Sequence, residues 1–499
     1  MFTLAAVVQD LSPVFLVLDA MDECSEANDV FEHLAHFKNS FCIAVTSRYL
    51  AEPSYDVSWY IHLNEAESDF HQDVLKYLQN KLKHRKLKQE LFTEIVDYLT
   101  EGSQGQFRWV DCQVTALQRC KTPKAIKEAL KELPKTLEDT YIVAIERIRE
   151  SRHVDDAGQL LKWLMYAFEP LSITQVTEIL AVDLNVQTFD PDARSWEIES
   201  GIYDILDSTL IAVNVDNVVQ LAHNSVKEFF TWSEGQKHLT GLIEINEQLA
   251  HSTICQICLI YLLQFDSEER YAFEKDYPLA SYAGKYWPSH MRGLGEEVFK
   301  YKPTMDLAVA LMQDASQLSY INWIRIYGPE RDWGAKCIPD LNPGQIHSQL
   351  YYMAWEGLAL MIEYLIVEQM ADVNAEGGHY GNALQAAAAQ GNKDAVQLLL
   401  EHKADVNAQS GLYGNALQAA AAEGDKNIVQ LLLDHKAYIN AQGGEFGNAL
   451  QAAAAWGNMG AVQVLLGHRA DVNVQGGWYG NALQAAVAEG NKDIVQLLL

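Results

Sequence analysis

The chain predicts a multidomain, mainly α protein that opens on a small α/β piece and closes on a helical solenoid. Three observations lead there. The string GNALQAA begins at Gly381, Gly414, Gly447 and Gly480, each 33 residues after the last. The middle carries amphipathic stretches such as residues 157–168, where Leu160, Leu161, Leu164 and Met165 recur at helical spacing. Near the start, VFLVL and FCIAV are continuous apolar runs of strand length. At 499 residues the chain is too long for one core and suggests about three domains of roughly 150 residues each.

The first apolar run belongs to PVFLVLDAMDEC, residues 13–24, which ends in Asp19, Asp22 and Glu23. A carboxylate at the carboxyl end of such a strand can hold Mg²⁺, and a second can orient the attacking water, which is Walker B chemistry. The second run ends in Thr46-Ser47-Arg48, where an arginine can meet a γ-phosphate. A strand end with a solvated acidic turn is the alternative reading of these residues. A nucleotide site also needs a GxxxxGK(S/T) loop, whose amides and lysine hold the phosphates. That loop should lie upstream, and only twelve residues precede this stretch; later, Gly284-Lys285 is followed by Tyr286. Asp19, Asp22, Glu23 and Arg48 are therefore expected to be half a site, a remnant without catalysis or cofactor. Either the chain is a fragment of a longer gene or the copy is degenerate.

Composition narrows the function further. There are 37 Lys and Arg against 67 Asp and Glu, a formal charge of -30. Such a surface repels phosphate backbones and anionic lipid, so neither nucleic acid nor membrane is an expected partner. The first basic residue is Lys38, so the positive start of a secretory signal is missing. The densest apolar stretch, residues 358–367, falls short of a membrane span and is interrupted by Glu363. Seven scattered cysteines suit a reducing, cytoplasmic setting. Cys255 and Cys258 form a CxxC within STICQICLIYLLQF, which reads as a buried helix rather than a metal or redox site.

Residues 157–168 open a winged-helix pattern. Ser172 with Gln175 makes a capping box for a second helix, and residues 210–215, Asp216-Asn217 and 218–222 read as the wing hairpin. The helix that would enter a DNA groove, SITQVTEILAVD, has two acids and no Lys or Arg. Intramolecular packing suits it better than base reading.

In each C-terminal unit, residues 383–390 form a small-residue inner helix, Gly391-Asn392 the turn, and residues 394–402 an outer helix whose Val396, Leu399 and Leu400 face the stack. A hairpin-like finger follows. The period and the two short helices resemble ankyrin repeats, with Asn-Ala-Leu-Gln in place of Thr-Pro-Leu-His. A degenerate unit, residues 351–374, comes first; its Tyr352, Met353 and Trp355 suit contact with a different domain. The chain stops at Leu499 within an outer helix, so its end is expected to continue, to meet a partner or to self-associate.

Aligned units vary sharply in two columns: His379, Leu412, Glu445, Trp478 at the fingertip, and Gln390, Glu423, Trp456, Glu489 at the inner-helix end. A third column stays aromatic: Tyr380, Tyr413, Phe446, Tyr479. Variation is tolerated where side chains leave the stack, and ankyrin similarity implies that these columns line a concave groove for a protein partner.

Taken in order, LVLDAMDEC, VTSR, QGQFRWVDCQVTALQRC, LKELPKTLEDTYIVAIERI, VQLAHNSVKEFF and PLASYAGKYWPSH resemble a NACHT-type STAND NTPase of the nephrocystin-3-like form found in filamentous fungi, with a winged helix like that of GPI inositol-deacylase. The resemblance implies five segments. These are residues 1–64, the C-terminal half of a P-loop NTPase core; 65–155, a helical domain; 156–235, the winged helix; 236–345, a helical spacer; and 346–499, the ankyrin repeats. It implies a recognition scaffold of the NLR-like receptor type, expected to be non-enzymatic because the phosphate-binding loop is missing. The alternative is part of a whole NACHT ATPase whose P-loop and effector lie upstream.

Overall fold

The computed structural model describes residues 14–18, 41–45, 67–85, 87–103, 105–194, 198–239, 246–267, 276–295, 300–313, 318–328 and 346–499. Among these it is mainly helical, with 24 α-helices and few strands. None of those helices is long and apolar enough to cross a membrane. The chain divides into two compact units, Met1–Lys76 and Tyr77–Leu499.

In the first unit β1 (Val14–Leu18) and β2 (Phe41–Val45) pair in parallel, from Val14 opposite Phe41 to Leu18 opposite Val45. Asp19, Asp22, Glu23 and Arg48 lie outside the described residues. Helix α1 (Glu67–Lys81) leads into the second unit.

There α2 (Gln89–Ser103), α3 (Phe107–Arg119), α4 (Pro123–Lys131) and α5 (Leu137–Glu150) pack around Ile95, Leu99, Val110 and Ile145. Thr122 and Thr136 start α4 and α5 by accepting backbone N–H groups from Ala125 and Asp139. The winged helix follows as α6 (Val154–Tyr166), β3 (Leu171–Ser172), α7 (Ile173–Leu180), β4 (Val182–Asp183), β5 (Thr188–Phe189), α8 (Ile198–Ile205), β6 (Ile211–Val213), β7 (Val218–Leu221) and α9 (Asn224–Thr231). Its antiparallel sheet runs β3-β7-β6, with Asn217 left-handed in the wing turn. Both arms of the Ser172–Gln175 capping box are formed.

Helix α10 (Ser233–Leu239) precedes a helical layer of α11 (Glu247–Leu263), α12 (Ala280–Arg292), α13 (Lys302–Gln313) and α14 (Leu318–Ile326). Every α11 residue from Ala250 to Leu262 except Gln256 is buried, as an apolar helix surrounded on all sides must be. Burial pushes the Cys255 and Cys258 thiols well above their ordinary range. No group of three His, Cys, Asp or Glu among the described residues could hold a metal ion.

Polar bonds fix the winged helix to this layer. Glu178 of α7 pairs with Arg194 at 2.7 Å and accepts the Tyr261 hydroxyl of α11 at 2.6 Å. The Phe168 N–H donates to the Tyr282 hydroxyl (3.1 Å), which meets His290 Nε2 (2.9 Å), and His290 Nδ1 meets His251 Nδ1 (2.8 Å). One proton assignment satisfies the row with both rings neutral: Tyr282 donates to His290, and His290 donates to His251. Burial, then the neighbouring His251, holds His290 down to about 3.

The solenoid stacks five helix pairs: α15 (Gln349–Trp355) with α16 (Ala359–Val367), α17 (Ala383–Ala389) with α18 (Lys393–Glu401), α19 (Ala416–Glu423) with α20 (Lys426–Asp434), α21 (Ala449–Ala455) with α22 (Met459–Gly467), and α23 (Ala482–Ala488) with α24 (Lys492–Leu498). Bulky Tyr352 of the first pair packs on Tyr320 and Trp323 of α14. Arg292 of α12 bonds the buried Glu356 carboxylate at 3.2 Å. Further on, alanines at 0–8% exposure let successive inner helices approach closely. Asn382, Asn415, Asn448 and Asn481 cap those helices, each accepting the N–H three residues on at 2.9 Å. The first three of the glutamines at those third positions, Gln385, Gln418 and Gln451, then reach the next repeat. Gln418 Nε2 donates to Ala441 O (3.0 Å) and Gly447 O (3.1 Å), and Gln451 to Val474 O (3.1 Å) and Gly480 O (3.0 Å).

Two outcomes follow from these bonds. Gln385 Oε1 accepts the Ser410 hydroxyl at 2.9 Å, whereas Gln418 Oε1 is buried without a donor because Gly443 replaces the serine. Gly443 lies outside the left-handed region, and an added Cβ would find contacts of 3.5 and 3.7 Å. Gly443→Ser should stabilise the array by about 1 kcal/mol, read as a higher denaturation midpoint. The histidines set an acid limit. An unfolded imidazole titrates near 6.5, so below that pH the unfolded chain takes up a proton that folded His290 refuses. Stability is therefore complete above about 6.5 and falls toward pH 3 by up to about 1.4 kcal/mol per pH unit. His290→Gln should flatten the decline between about pH 6.5 and 4.5, above the main carboxylate range. Midpoints from circular dichroism across pH test this, and an unchanged slope would remove His290 as its source.

Candidate protein-binding surface

The fingers are joined through their backbones at the fingertip column. Leu412 N–H donates to His379 O (3.0 Å), Glu445 N–H to Leu412 O (3.1 Å) and Trp478 N–H to Glu445 O (3.0 Å). The residue before each donor is Gly411, Gly444 or Gly477, at φ of +66°, +58° and +62°. A Cβ there would come within 2.1–2.3 Å of the preceding finger's backbone, so only glycine lets the fingers close up. Because main-chain atoms make the bond, the joint does not depend on which side chain stands in this column.

The aromatic column is used differently. Trp355, Tyr380, Tyr413 and Phe446 stack in a row with centroids 4.8, 5.6 and 5.9 Å apart and rings within 23° of parallel. Phe446 is buried, Tyr380 and Tyr413 half-buried. Tyr479 leaves the row and donates its hydroxyl to Glu489 at 2.7 Å. The tyrosines and Phe446 therefore hold the fingers over the inner helices.

Gln390, Glu423, Trp456 and Glu489 at the inner-helix ends are all exposed. Trp456 is 59% exposed, its ring centroid 6.3 Å from that of Phe446, and Trp478 is 74% exposed. At the other end of the fingertip column His379 is exposed, while Leu412 and Glu445 are half-buried. Burial, then neighbouring Tyr380, Glu423 and Glu445, pushes the Tyr413 phenol up to about 12. Glu423 is also raised, by burial and by Asp425. The array thus brings Tyr413, Glu423, Glu445, Phe446 and Trp456 together, with Trp478 on the next finger.

Sequence reasoning missed three parts of this surface: the glutamine bridge to the next finger, the backbone bond between fingertips, and Trp355 as the start of the aromatic row. A signal for the second was present, since a glycine precedes the varying fingertip position in every unit. Exposed aromatic side chains of this kind are enriched at protein interfaces.

Comparisons with known proteins agree with this architecture. Residues 350–443 match the family profile described as ankyrin repeats (3 copies), and residues 450–499 the one described as ankyrin repeats (many copies). Residues 145–239 match the GPI inositol-deacylase winged helix domain. A curated relative, the "Azaphilone pigments biosynthesis cluster protein L" of Monascus ruber, is 35% identical over 291 residues, covering 54% of this chain and 60% of that protein. The chain thus spans about three fifths of the length of the relative it matches. One polypeptide therefore carries ankyrin repeats, a fold that points to protein–protein interaction, together with a winged helix of the GPI inositol-deacylase type.

Proposed function

We propose that this chain is a non-enzymatic scaffold of the STAND, NLR-like receptor type, working in the cytoplasm and recognising a protein partner through its ankyrin groove. One observation carries the reading: Trp456 and Trp478 stand 59% and 74% exposed on a surface whose structural bonds are made by other groups. Burying large aromatic faces is what dominates binding energy at interfaces. The five-segment division given above, with a NACHT-type remnant over residues 1–64, belongs to the same proposal. Replacing Trp456 and Trp478 together with Ala should leave the thermal midpoint nearly unchanged. Each anchor should cost about 2 kcal/mol or more of partner affinity. Retention of every partner by the double variant, or a loss of several kcal/mol of fold stability, would remove the groove assignment.

A second reading, a nucleotide-driven switch, is favoured by the parallel pairing of β1 and β2, the arrangement on which phosphate-binding sheets are built. The scaffold reading expects no phosphate release from ATP and Mg²⁺, since these 499 residues contain no Gly-Lys-Ser/Thr. Turnover that disappears in Asp22→Asn would establish the switch instead.

A further inference from the structure

The partner's chemistry can be taken further, on the premise that the groove is the binding surface. We propose that the patch of Tyr413, Glu423, Glu445, Trp456 and Trp478 binds a cationic, extended segment of another protein, seating arginine or lysine side chains between tryptophan faces and carboxylates.

The charges point one way. Neither variable column contains a Lys or Arg in any of the four units, so an incoming cation meets no like charge there. Glu423 and Glu445 both lie near Tyr413, and neither is in a salt bridge among the described residues. The exposed faces of Trp456 and Trp478 add ring quadrupoles, which attract a guanidinium more than any neutral group. The formal charge of -30 steers such a segment in from a distance.

Other occupants fit less well. An apolar helix laid on this patch would take two carboxylates out of water with no partner for either. An acidic segment would be repelled by both. Spacing favours a chain extended as polyproline II, because packed helices lie about 8–10 Å apart and that conformation advances about 3.1 Å per residue with about three residues per turn. Every third residue of the segment then faces a new repeat.

The test uses the full chain and four labelled peptides of about 12 residues, with Arg, Gln, Glu or Leu at every third position and Gly and Ser between. Affinities are read by fluorescence anisotropy at about 100 mM salt. The Arg peptide should bind at least about tenfold more tightly than the Gln or Glu peptide. Trp456→Ala, and separately the pair Glu423→Gln with Glu445→Gln, should each weaken it about tenfold, with Trp456→Phe restoring part of the loss. Glu401→Gln on the outer helix α18 should change nothing, and thermal midpoints of all variants should match. Equal loss in the Glu401 variant, or indifference to Trp456, would reduce the binding to general charge attraction and overturn the proposal. If the Leu peptide binds through Trp456 and Trp478 while the Arg peptide does not, the cationic partner is wrong and the groove stands. If no peptide binding and no partner binding depends on those tryptophans, both fall.

Discussion

A glutamine amide sealed inside a row of alanine helices must find its hydrogen bonds in the protein, and the array is arranged around that requirement. Gln385, Gln418 and Gln451 are 1–2% exposed. Each is anchored through its own backbone N–H to the asparagine cap, so its position along the helix is fixed. Each NH₂ group then has one place to go, the finger carbonyls of the following unit. An unmet buried amide is costly, which makes the angle between neighbouring units a matter of polar satisfaction as well as apolar fit. The alanines permit the approach; the glutamines decide its register.

The same logic operates at the joints between the segments of the second unit. Glu178, Tyr282 and Glu356 are polar groups in apolar surroundings, and each is bonded across a boundary between segments. Glu178 also explains what the second winged-helix helix does. Its face of Ile173, Val176 and Ile179 is buried, and its carboxylate is held by Arg194 and by Tyr261 of α11.

Much of the fold was legible because periodicity is a property of sequence. The 33-residue repeat, the alanine inner helix, the Ser172–Gln175 capping box, the wing hairpin and the buried helix around Cys255 all follow from local patterns, and helix ends fell within a few residues of expectation. The varying columns were also visible as columns. The bonds that cross from one unit to the next were not, because nothing in a single repeat says which carbonyl Gln385 will meet or that Leu412 will donate to His379. The aromatic column shows the same gap. Sequence grouped Tyr380, Tyr413, Phe446 and Tyr479 as one set, yet the first three stack in the row that Trp355 begins while Tyr479 turns to Glu489.

The bond between fingertips makes the array modular in an evolutionary sense. Each unit offers the same main-chain donor on one side and the same acceptor on the other, whatever side chain stands at that position. Unequal recombination that removes or duplicates one 33-residue stretch therefore rejoins donor to acceptor without a mismatch. Single-codon changes at the fingertip alter the exposed chemistry and leave the joint intact. Groove length and groove character are in this way separable traits, each open to change without the other.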